Sequence, residues 1–341
     1  MGKRPTILDV ANAAGVSVAT VDRVLNERLP VRGGTATRVA TAAEALGYHA
    51  TGLLKQRVKN EAPKRVLGFL LQKRAQDFYR VMGEEMAAAV QANTQVRGRS
   101  IIEFVDELSP VAITRALADL GARVDALAVV AVDHPAISEA VGELRARNIP
   151  CFALLSDISA PARAGYIGID NRKAGRTAAW MIARTSRQPG PVGVLVGSHR
   201  YLGQDLREMG ARAYFRETAA DFAVLEPMLN LDEPRIAYEA TLDLLKRHPG
   251  LTGIIVAGGG MEGVIGALRD ERVDGRMCVV CNELTRVTRA ALIDRVVTCV
   301  IATPVKLLAG RTVAAMITAV GGTGSGSEEF LPFEIYISEN V

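Results

Sequence analysis

Residues 6–26, TILDVANAAGVSVATVDRVLN, have the apolar spacing of two short helices joined by a tight turn. Apolar residues that recur at i, i+3, i+4 and i+7 lie on one face of a helix. In the first half of this segment they are Ile7, Val10, Ala11 and Ala14. Gly15 follows, and a glycine in the left-handed conformation can end a helix there. The pattern predicts a first helix that stops at Gly15.

The second half of the segment predicts another helix, over residues 18–25, with Ser17 as its N-cap. Val21, Val24 and Leu25 would face inward. The outward face would then carry Val18, Ala19, Asp22 and Arg23. Two such helices around a glycine turn are typical of a helix-turn-helix. The other interpretation is that any small helical domain has this periodicity.

The outward face of the second helix has the chemistry of a DNA reader, because in this motif that helix enters the major groove. Arg23 is its one long donor and suits a bidentate contact with guanine, whereas Val18 and Ala19 offer apolar contact to a thymine methyl group. We therefore expect sequence preference to depend mainly on Arg23. Other expected DNA contacts, chiefly donors to phosphate, are Thr6, Ser17, Thr20 and Asn26.

Together with residues 35–48, TATRVATAAEALGY, this segment resembles the headpiece of the lactose/purine repressor family in a single register over residues 6–48. The resemblance implies a third helix at about 35–46 with Gly47 as its cap. It also implies a homodimer that binds a pseudo-palindromic operator. Asp22 departs from the family, which usually has serine there. We expect Asp22 to pair with a neighbouring arginine or to discriminate against some operators.

A second departure follows Tyr48, where the sequence reads HATGLLKQRVK. The family usually has a hinge helix there, with a leucine that wedges into the minor groove, but Arg57 stands at that position. Two alternatives remain open. Leu53 or Leu54 could supply the apolar wedge, or Arg57 could read a narrowed minor groove by its charge.

The basic charge of the chain is concentrated in its N-terminal part. Residues 1–65 carry 11 Lys and Arg against 5 Asp and Glu, a net charge of +6, and the remainder carries 30 against 32, a net charge of −2. Binding through phosphate neutralisation requires such an asymmetry and makes affinity salt-dependent. The alternative is a merely solvated basic tail.

Composition excludes several classes of protein. With 341 residues, 49% of them hydrophobic, the chain can form two or three folded units. It has no run of about 18 apolar residues, and MGKRPTILDV, residues 1–10, lacks the long apolar core and cleavage site of a signal sequence. We therefore expect a cytoplasmic protein with no membrane partner. Cys278 and Cys281 form a CxxC, a weak metal or redox signal, but residues three apart on a strand face opposite ways. We expect all four cysteines to be buried and reduced, with no metal and no cofactor.

From residue 66 onward, apolar strands alternate with amphipathic helices, which predicts an α/β fold of parallel sheets flanked by helices. We expect a headpiece at 1–50, a hinge or linker at 51–65 and an effector-binding core at 66–341. GYIGID, residues 165–170, would begin a second similar half. The expected subdomains are thus about 66–161 with 304–320, and about 162–303 with 330–341. GGTGSGSEE between the last units predicts a surface loop.

Two open α/β sheets that face each other make a ligand cleft at the carboxyl ends of their strands. The family resemblance implies the same, since the core resembles periplasmic sugar-binding proteins. Phe78 and Tyr79 follow the first strand, where those relatives carry aromatic residues that sandwich a sugar ring. The resemblance also assigns ligand contacts to Arg207 and Glu283. The other candidate residues at strand ends are Asp133, Ser156, Asp157, Gly260 and Thr303. Stacking combined with charge-assisted hydrogen bonds favours a carbohydrate or polyol.

The main rival interpretation comes from AGGGMEG. Gly258, Gly260 and Gly263 form a GxGxxG between a strand and a helix, with Glu283 twenty residues further on, which is a dinucleotide-binding pattern. It would make the protein a nicotinamide-sensing regulator or an oxidoreductase. The motif begins neither half of the core, however. No GxSxG, P-loop or metal constellation indicates an enzyme, so no catalytic residue is expected.

Overall fold

Three short helices form the N-terminal part of the computed structural model, which describes residues 4–26, 31, 33–52, 54, 62–273, 275, 277–322 and 327–341. They are α1 (Ile7–Ala14), α2 (Val18–Asn26) and α3 (Gly33–Ala45). Residues 1–67 with 87–101 belong to one compact unit, and residues 68–86 with 102–341 to a second. The helix-turn-helix and its bracing third helix are confirmed.

The three helices enclose a small apolar core. Val10, Val21 and Val39 have no exposed surface, and each comes from a different helix. Leu25, which we expected to face inward, is half-buried against the same core. Gly15 takes the left-handed conformation, with φ of 61°, and ends α1 as predicted. The two-helix spacing of residues 6–26 therefore describes a real packed face.

The rest of the chain alternates strands and helices. The strands are β1 (Lys64–Gln72), β2 (Arg97–Val105), β3 (Ala126–Val129), β4 (Cys151–Leu154), β5 (Gly165–Ile169), β6 (Pro191–Val196), β7 (Ala223–Val224), β8 (Met228–Leu229), β9 (Gly253–Val256), β10 (Cys278–Asn282), β11 (Cys299–Ala302), β12 (Ser327–Leu331) and β13 (Glu334–Tyr336). The helices are α4 (Asp77–Ala92), α5 (Pro110–Gly121), α6 (Pro135–Ala146), α7 (Asn171–Thr185), α8 (Leu202–Thr218), α9 (Pro234–Arg247), α10 (Met261–Asp270), α11 (Arg286–Ile293) and α12 (Val305–Val320).

The strands form two sheets, as the alternation predicts. The first has the order β12-β5-β4-β3-β1-β2, and the second has the order β13-β11-β10-β9-β6-β7 with β8 also paired to β6. We call the two halves built on these sheets the first lobe and the second lobe. Their central strands are parallel and fully buried, which explains their continuous apolar sequences. The predicted α/β architecture is confirmed.

The strand β5 belongs to the first lobe, although we predicted it in the second. We expected residues 165–170 to begin the second lobe, but β5 pairs in parallel with β4 and completes the first sheet. Tyr166 lies opposite Ala153 in this pairing. The buried strands of both lobes have the same apolar composition, so local sequence does not say which sheet a strand joins. The crossing to the second lobe therefore follows β5, where α7 begins.

The C-terminal segment also differs from the expectation. We expected residues 321–329 to be a loop and residues 330–341 to belong to the second lobe. Instead β12 pairs in parallel with β5 in the first sheet, and only β13 joins the second sheet, antiparallel to β11. The chain thus crosses again between Leu331 and Glu334. Residues 323–326 lie outside the described part.

The four cysteines are free and buried in the core of the lobes, as predicted. Burial raises the pKa of the Cys151 and Cys299 thiols to about 12. A thiol with so high a pKa is almost entirely protonated at neutral pH and is a poor nucleophile or metal ligand. Among the described residues, no helix combines the length and the apolar character that crossing a membrane requires.

Candidate functional site

The exposed face of α2 carries the residues expected to read DNA. Val18, Ala19 and Arg23 are exposed, whereas Val21 and Val24 are buried on the opposite face. The face is therefore one long cationic donor beside small apolar side chains. In a helix-turn-helix, the exposed face of the second helix is the one that enters the major groove.

Several predicted phosphate donors also form local hydrogen bonds that fix the helix ends. Thr6 makes a capping box with Asp9 at the start of α1. The Ser17 hydroxyl accepts a bond of 3.2 Å from the Thr20 amide and lies 2.9 Å from the Thr20 hydroxyl, so Ser17 caps α2 as expected. These hydroxyls remain on the exposed side of the helix starts.

Asn26 and Asp22 form a pair on α2. The Asn26 amide donates to Asp22 Oδ1 over 2.6 Å, one helical turn apart. This bond engages the Asp22 carboxylate, and it restricts the amide that we expected to donate to phosphate. Sequence analysis did not indicate this pairing.

Arg38 of α3 closes the turn of the helix-turn-helix. Its Nη2 donates to the carbonyl oxygens of Ala14 and Gly15, over 3.0 and 3.2 Å. A cation at the C-terminal carbonyls of a helix donates to acceptors that have no partner within the helix. It also interacts favourably with the partial negative charge of the helix dipole at that end. Arg38 therefore joins α3 to the C-terminal end of α1, at the turn before α2, a contact that the sequence pattern did not reveal.

The hinge prediction is corrected at one residue. Leu54 has no exposed surface and packs in the headpiece core. In this conformation it cannot act as a wedge in the minor groove, because its side chain completes the apolar core of three short helices. The other two predicted hinge contacts, Leu53 and Arg57, lie outside the described residues.

In the second compact unit a cleft lies at the carboxyl ends of the parallel strands of both lobes. Its cavity holds about 700 Å³ of space free of protein atoms, part of it open to solvent. The predicted residues that line it are Phe78, Tyr79, Ser156, Arg207 and Glu283. Residues from several different strand ends thus converge on one cavity.

Arg207, on α8, is the principal cation in the cleft wall and is only 8% exposed. Its Nε donates to Asn171 Oδ1 over 2.8 Å, and its Nη1 donates to the Ala257 carbonyl over 2.9 Å. These two bonds fix the plane of the guanidinium. No bond of Nη2 to a described residue is seen beside them, and Arg207 lines the cavity. Arg207 can therefore donate to a hydroxyl or ring oxygen in a fixed direction.

Glu283 follows β10 and is buried, with a left-handed backbone at φ of 66°. Burial raises the pKa of its carboxyl group, and Arg207 and Thr303 oppose that shift. Thr303 donates to the two carboxylate oxygens from its backbone N–H and its hydroxyl, both over 2.8 Å. The carboxylate is thus oriented by Thr303, with lone pairs left for a ligand.

The aromatic residues differ in arrangement from the predicted sandwich. The rings of Phe78 and Tyr79 meet edge to face, at 70° with centroids 5.3 Å apart, because neighbouring positions on a helix point in different directions. The Tyr79 hydroxyl donates to Gln72 Oε1 over 3.1 Å. Burial raises the pKa of Tyr79 well above its usual value, so the phenol stays protonated. The two rings therefore do not form a parallel pair around one sugar ring, and a sugar could stack on one of them at a time.

Four predicted ligand contacts do not line the cavity. Asp133 accepts two bonds of 2.7 Å from Ser159, and Asp157 forms a bidentate ion pair with Arg163. These carboxylates are turned to neighbouring loops, whose partners the sequence does not reveal. The other two lie behind the cavity wall and are Thr303, which orients Glu283, and Gly260, the N-cap of α10.

The last glycine of the glycine-rich loop, Gly263, has a packing role. A Cβ at Gly263 would lie 1.8 Å from the Pro234 carbonyl oxygen, so this glycine allows α10 to approach α9. The Gly259 N–H donates to Asp232 Oδ1 over 2.6 Å. A carboxylate of the protein thus occupies the position where a pyrophosphate would need free N–H donors. This arrangement opposes an anionic ligand at the loop.

Sequence reasoning missed the cavity residues that come from helix starts. They are Gln76, Asp77, Tyr201, Gly203, Gln204, Met261, Glu262 and Thr285, together with Val130, Leu155, Gly259 and Asn282 near strand ends. Gly258, which the sequence analysis named in the dinucleotide-binding pattern, also lines the cavity. Gln204 is the most informative, because it donates to Asp232 and accepts from the Gly197 amide over 2.7 Å. The available signal was position, since each helix start follows a strand that ends at the cleft.

Comparison with known families agrees with this architecture. Residues 67–324 match the periplasmic binding protein domain, and residues 6–51 match the bacterial regulatory proteins of the lacI family. The chain therefore belongs to the periplasmic binding protein domain family and carries a lacI-type helix-turn-helix domain at its N-terminal end.

Curated relatives match parts of the chain. The ribose operon repressor of Bacillus subtilis is 47% identical over 66 residues, 19% of this chain and 20% of that protein. The HTH-type transcriptional regulator MalR of Streptomyces coelicolor is 27% identical over 175 residues, 49% of this chain and 47% of that protein. The matched regions thus span about a fifth and about half of these two relatives.

Among solved structures, an ABC transporter solute binding protein from Agrobacterium vitis, bound with alpha-D-tagatopyranose, has the same fold as the core. The two structures superpose with a TM-score of 0.76 at 19% sequence identity. The match covers 82% of this chain and 96% of that one. The two-lobed fold is therefore that of a periplasmic binding protein.

Proposed function

We propose that this protein is a transcriptional regulator, a repressor, whose headpiece binds operator DNA and whose cleft binds a small neutral carbohydrate. The observation that carries the proposal is the combination, in one chain, of an exposed α2 face with Arg23 and a cleft where Arg207 and Glu283 converge. The proposal includes a cytoplasmic homodimer whose two headpieces contact two half-sites.

The polar groups of the cleft favour a ligand rich in hydroxyl groups. Arg207 supplies an oriented donor edge and Glu283 supplies a buried acceptor, while Phe78 and Tyr79 supply apolar ring surface. Sugar rings combine apolar C–H faces with hydroxyl edges and fit this set. The relatives support the same class, because one is a ribose operon repressor and a protein of the same fold was crystallised with alpha-D-tagatopyranose.

The carboxylates around the cavity favour an uncharged sugar over a sugar phosphate. The Asp232 carboxylate accepts a hydrogen bond from the glycine-rich loop, and Glu262 and Glu283 line the cavity. Among the described residues that line the cavity, Arg207 is the one cation. A phosphate or carboxylate ligand would meet repulsion that a neutral polyol avoids. The same charges oppose the rival nicotinamide dinucleotide.

A ligand screen tests the effector assignment. Thermal shifts would be measured with ribose, tagatose, allose, ribose 5-phosphate, adenine and NADH, followed by calorimetry. We expect a shift with at least one neutral sugar, and for that sugar Arg207→Lys should weaken binding by about tenfold because the oriented fork is lost. A shift with NADH alone, or turnover of any of these compounds, would contradict the proposal.

Operator binding is tested by selecting preferred sequences from random DNA. Arg23→Ala should abolish the selectivity and leave sugar binding intact, since Arg23 is exposed on α2. Arg172→Ala, which removes an exposed arginine from the second lobe, is the matched control. Unchanged selectivity in Arg23→Ala would refute the headpiece assignment. Adding the sugar to the operator complex then measures whether effector releases or recruits DNA.

A further inference from the structure

Lys73 bridges the two lobes with every donor of its ammonium group. It follows β1 in the first lobe, and its side chain is 13% exposed. Its Nζ donates to the carbonyl oxygens of Leu231 and Asp232, over 3.3 and 3.1 Å, and to Glu233 Oε1 over 2.5 Å. These acceptors precede α9 in the second lobe. An ammonium group has three N–H donors, and all three are directed at one short loop.

The backbone on both sides of this bridge is strained. Lys73 has φ of 32°, and Leu231 and Asp232 have φ of 54° and 52°. Residues other than glycine avoid this left-handed region, and such strain persists only where surrounding contacts hold it. The left-handed pair turns two consecutive carbonyl groups toward Lys73. The contacts of Lys73 thus support a conformation that the loop would not adopt alone.

The same loop forms part of the wall of the cleft. The Asp232 carboxylate accepts from the Gly259 N–H and from Gln204 Nε2, and both of these residues line the cavity. Gln76, another cavity residue, donates to the Asp232 carbonyl over 3.2 Å. One residue, Asp232, therefore contacts Lys73 through its backbone and the cavity wall through its side chain.

We propose that Lys73 is a latch that holds the two lobes closed and that it couples closure of the lobes to occupancy of the cleft. A ligand that contacts Gln204 or Gly259 acts on the loop that Lys73 holds, so closure favours binding and binding favours closure. The latch needs only the geometry of the two lobes. The role of the latch in the response to an effector rests on the proposed function.

Two amide groups report directly on closure. The Asp133 N–H donates to the Arg200 carbonyl over 2.7 Å, and the Gly203 N–H donates to Ser156 Oγ over 3.0 Å. Each bond joins one lobe to the other, so parting of the lobes breaks the bond and lets the N–H exchange with solvent. Amides in β3 and β6 lie within the sheets and report instead on unfolding of each lobe.

The experiment is hydrogen exchange of the full chain without ligand or DNA, comparing the wild type with Lys73→Met. Methionine keeps the length of the side chain and removes the three donors. We expect exchange at Asp133 and Gly203 to become about tenfold faster, with the β3 and β6 amides unchanged. Lys173→Met is the matched control, because the exposed Lys173 pairs with Asp170, the N-cap of its own helix.

Two results would overturn the latch. Unchanged exchange at Asp133 and Gly203 would mean that Lys73 does not hold the lobes, and equal acceleration in β3 and β6 would mean that it merely stabilises the fold. Glu233→Gln should have a smaller effect than Lys73→Met, since both carbonyl acceptors remain. Because no ligand or operator is present, failure here is distinguishable from failure of the proposed function.

Discussion

At the scale of single residues, Glu283 combines burial, backbone strain and charge in one position. Its carboxyl group is buried beside Arg207, and Thr303 donates to both of its oxygens. Such an arrangement preserves an acceptor for a ligand at some expense to the stability of the empty protein. Its titration should therefore be visible in the pH dependence of unfolding.

We predict that Glu283→Gln changes how stability depends on pH. Burial raises the pKa of Glu283 above its usual value of 4.5. A group whose pKa is higher in the folded state contributes stability that is fully present below its unfolded pKa and is lost as pH rises through its folded pKa. Relative to the wild type, Glu283→Gln should therefore be more stable at about pH 8 than at about pH 5.

Denaturant unfolding of both proteins at the two pH values measures this difference. Glu271→Gln, which removes a carboxylate from the protein surface, serves as the control. If the two unfolding curves differ by the same amount at both pH values, the buried carboxyl group does not titrate as its surroundings require.

Sequence predicted those site residues whose place at a strand end or in the family pattern was enough to identify them. Arg207 and Glu283 follow from the family pattern, and Phe78 and Tyr79 follow a strand end. Asp133 has the same kind of position, but Ser159 engages it through a contact 26 residues away. A single sequence carries no signal for such a distant partner, so strand-end position identifies candidates and hydrogen bonding decides among them.

At the scale of elements, the packing of α9 against α10 depends on one glycine. The Cβ of an alanine at Gly263 would lie 1.8 Å from the Pro234 carbonyl oxygen and 2.8 Å from the Tyr238 backbone nitrogen. Backbone atoms cannot move aside without displacing the helix. We predict that Gly263→Ala lowers the free energy of unfolding by about 3 kcal/mol.

Gly266 on the same helix provides the control. The nearest atom to its Cβ would be a Tyr238 ring carbon at 3.5 Å, which is an ordinary contact. Because alanine stabilises a helix interior more than glycine does, Gly266→Ala should stabilise the protein by about 0.5 kcal/mol. Chemical denaturation of the two variants checks the pair, and equal effects would mean that helix approach does not explain Gly263.

The elements themselves could be predicted more completely than their arrangement. Period and capping predicted α1 and α2, because these signals lie within a few residues. The assignment of β5 to a lobe was wrong, and β12 was missed, because a short apolar strand can add to either sheet. The pairing of a strand depends on partners far along the chain, and a pattern of local hydrophobicity does not contain them.

At the scale of the whole molecule, charge divides the chain into two kinds of surface. Residues 1–65 have a net charge of +6 and the remainder has −2. Phosphate binding displaces counterions and so depends steeply on salt, whereas a neutral ligand in a half-buried cleft displaces none. The two proposed activities of one chain should therefore respond differently to ionic strength.

We predict that raising KCl from about 50 to about 200 mM weakens operator binding by about 10³-fold, the loss expected of a protein with several phosphate contacts. The affinity for a neutral sugar should change by less than about twofold, because the polar groups of the cleft are screened little by salt. Fluorescence anisotropy with operator DNA and calorimetry with the sugar, in the same buffers, measure both. A strong salt dependence of sugar binding would mean that salt acts on the charged groups of the cleft itself, and a weak salt dependence of DNA binding would mean that the basic N-terminal part does not contact phosphates.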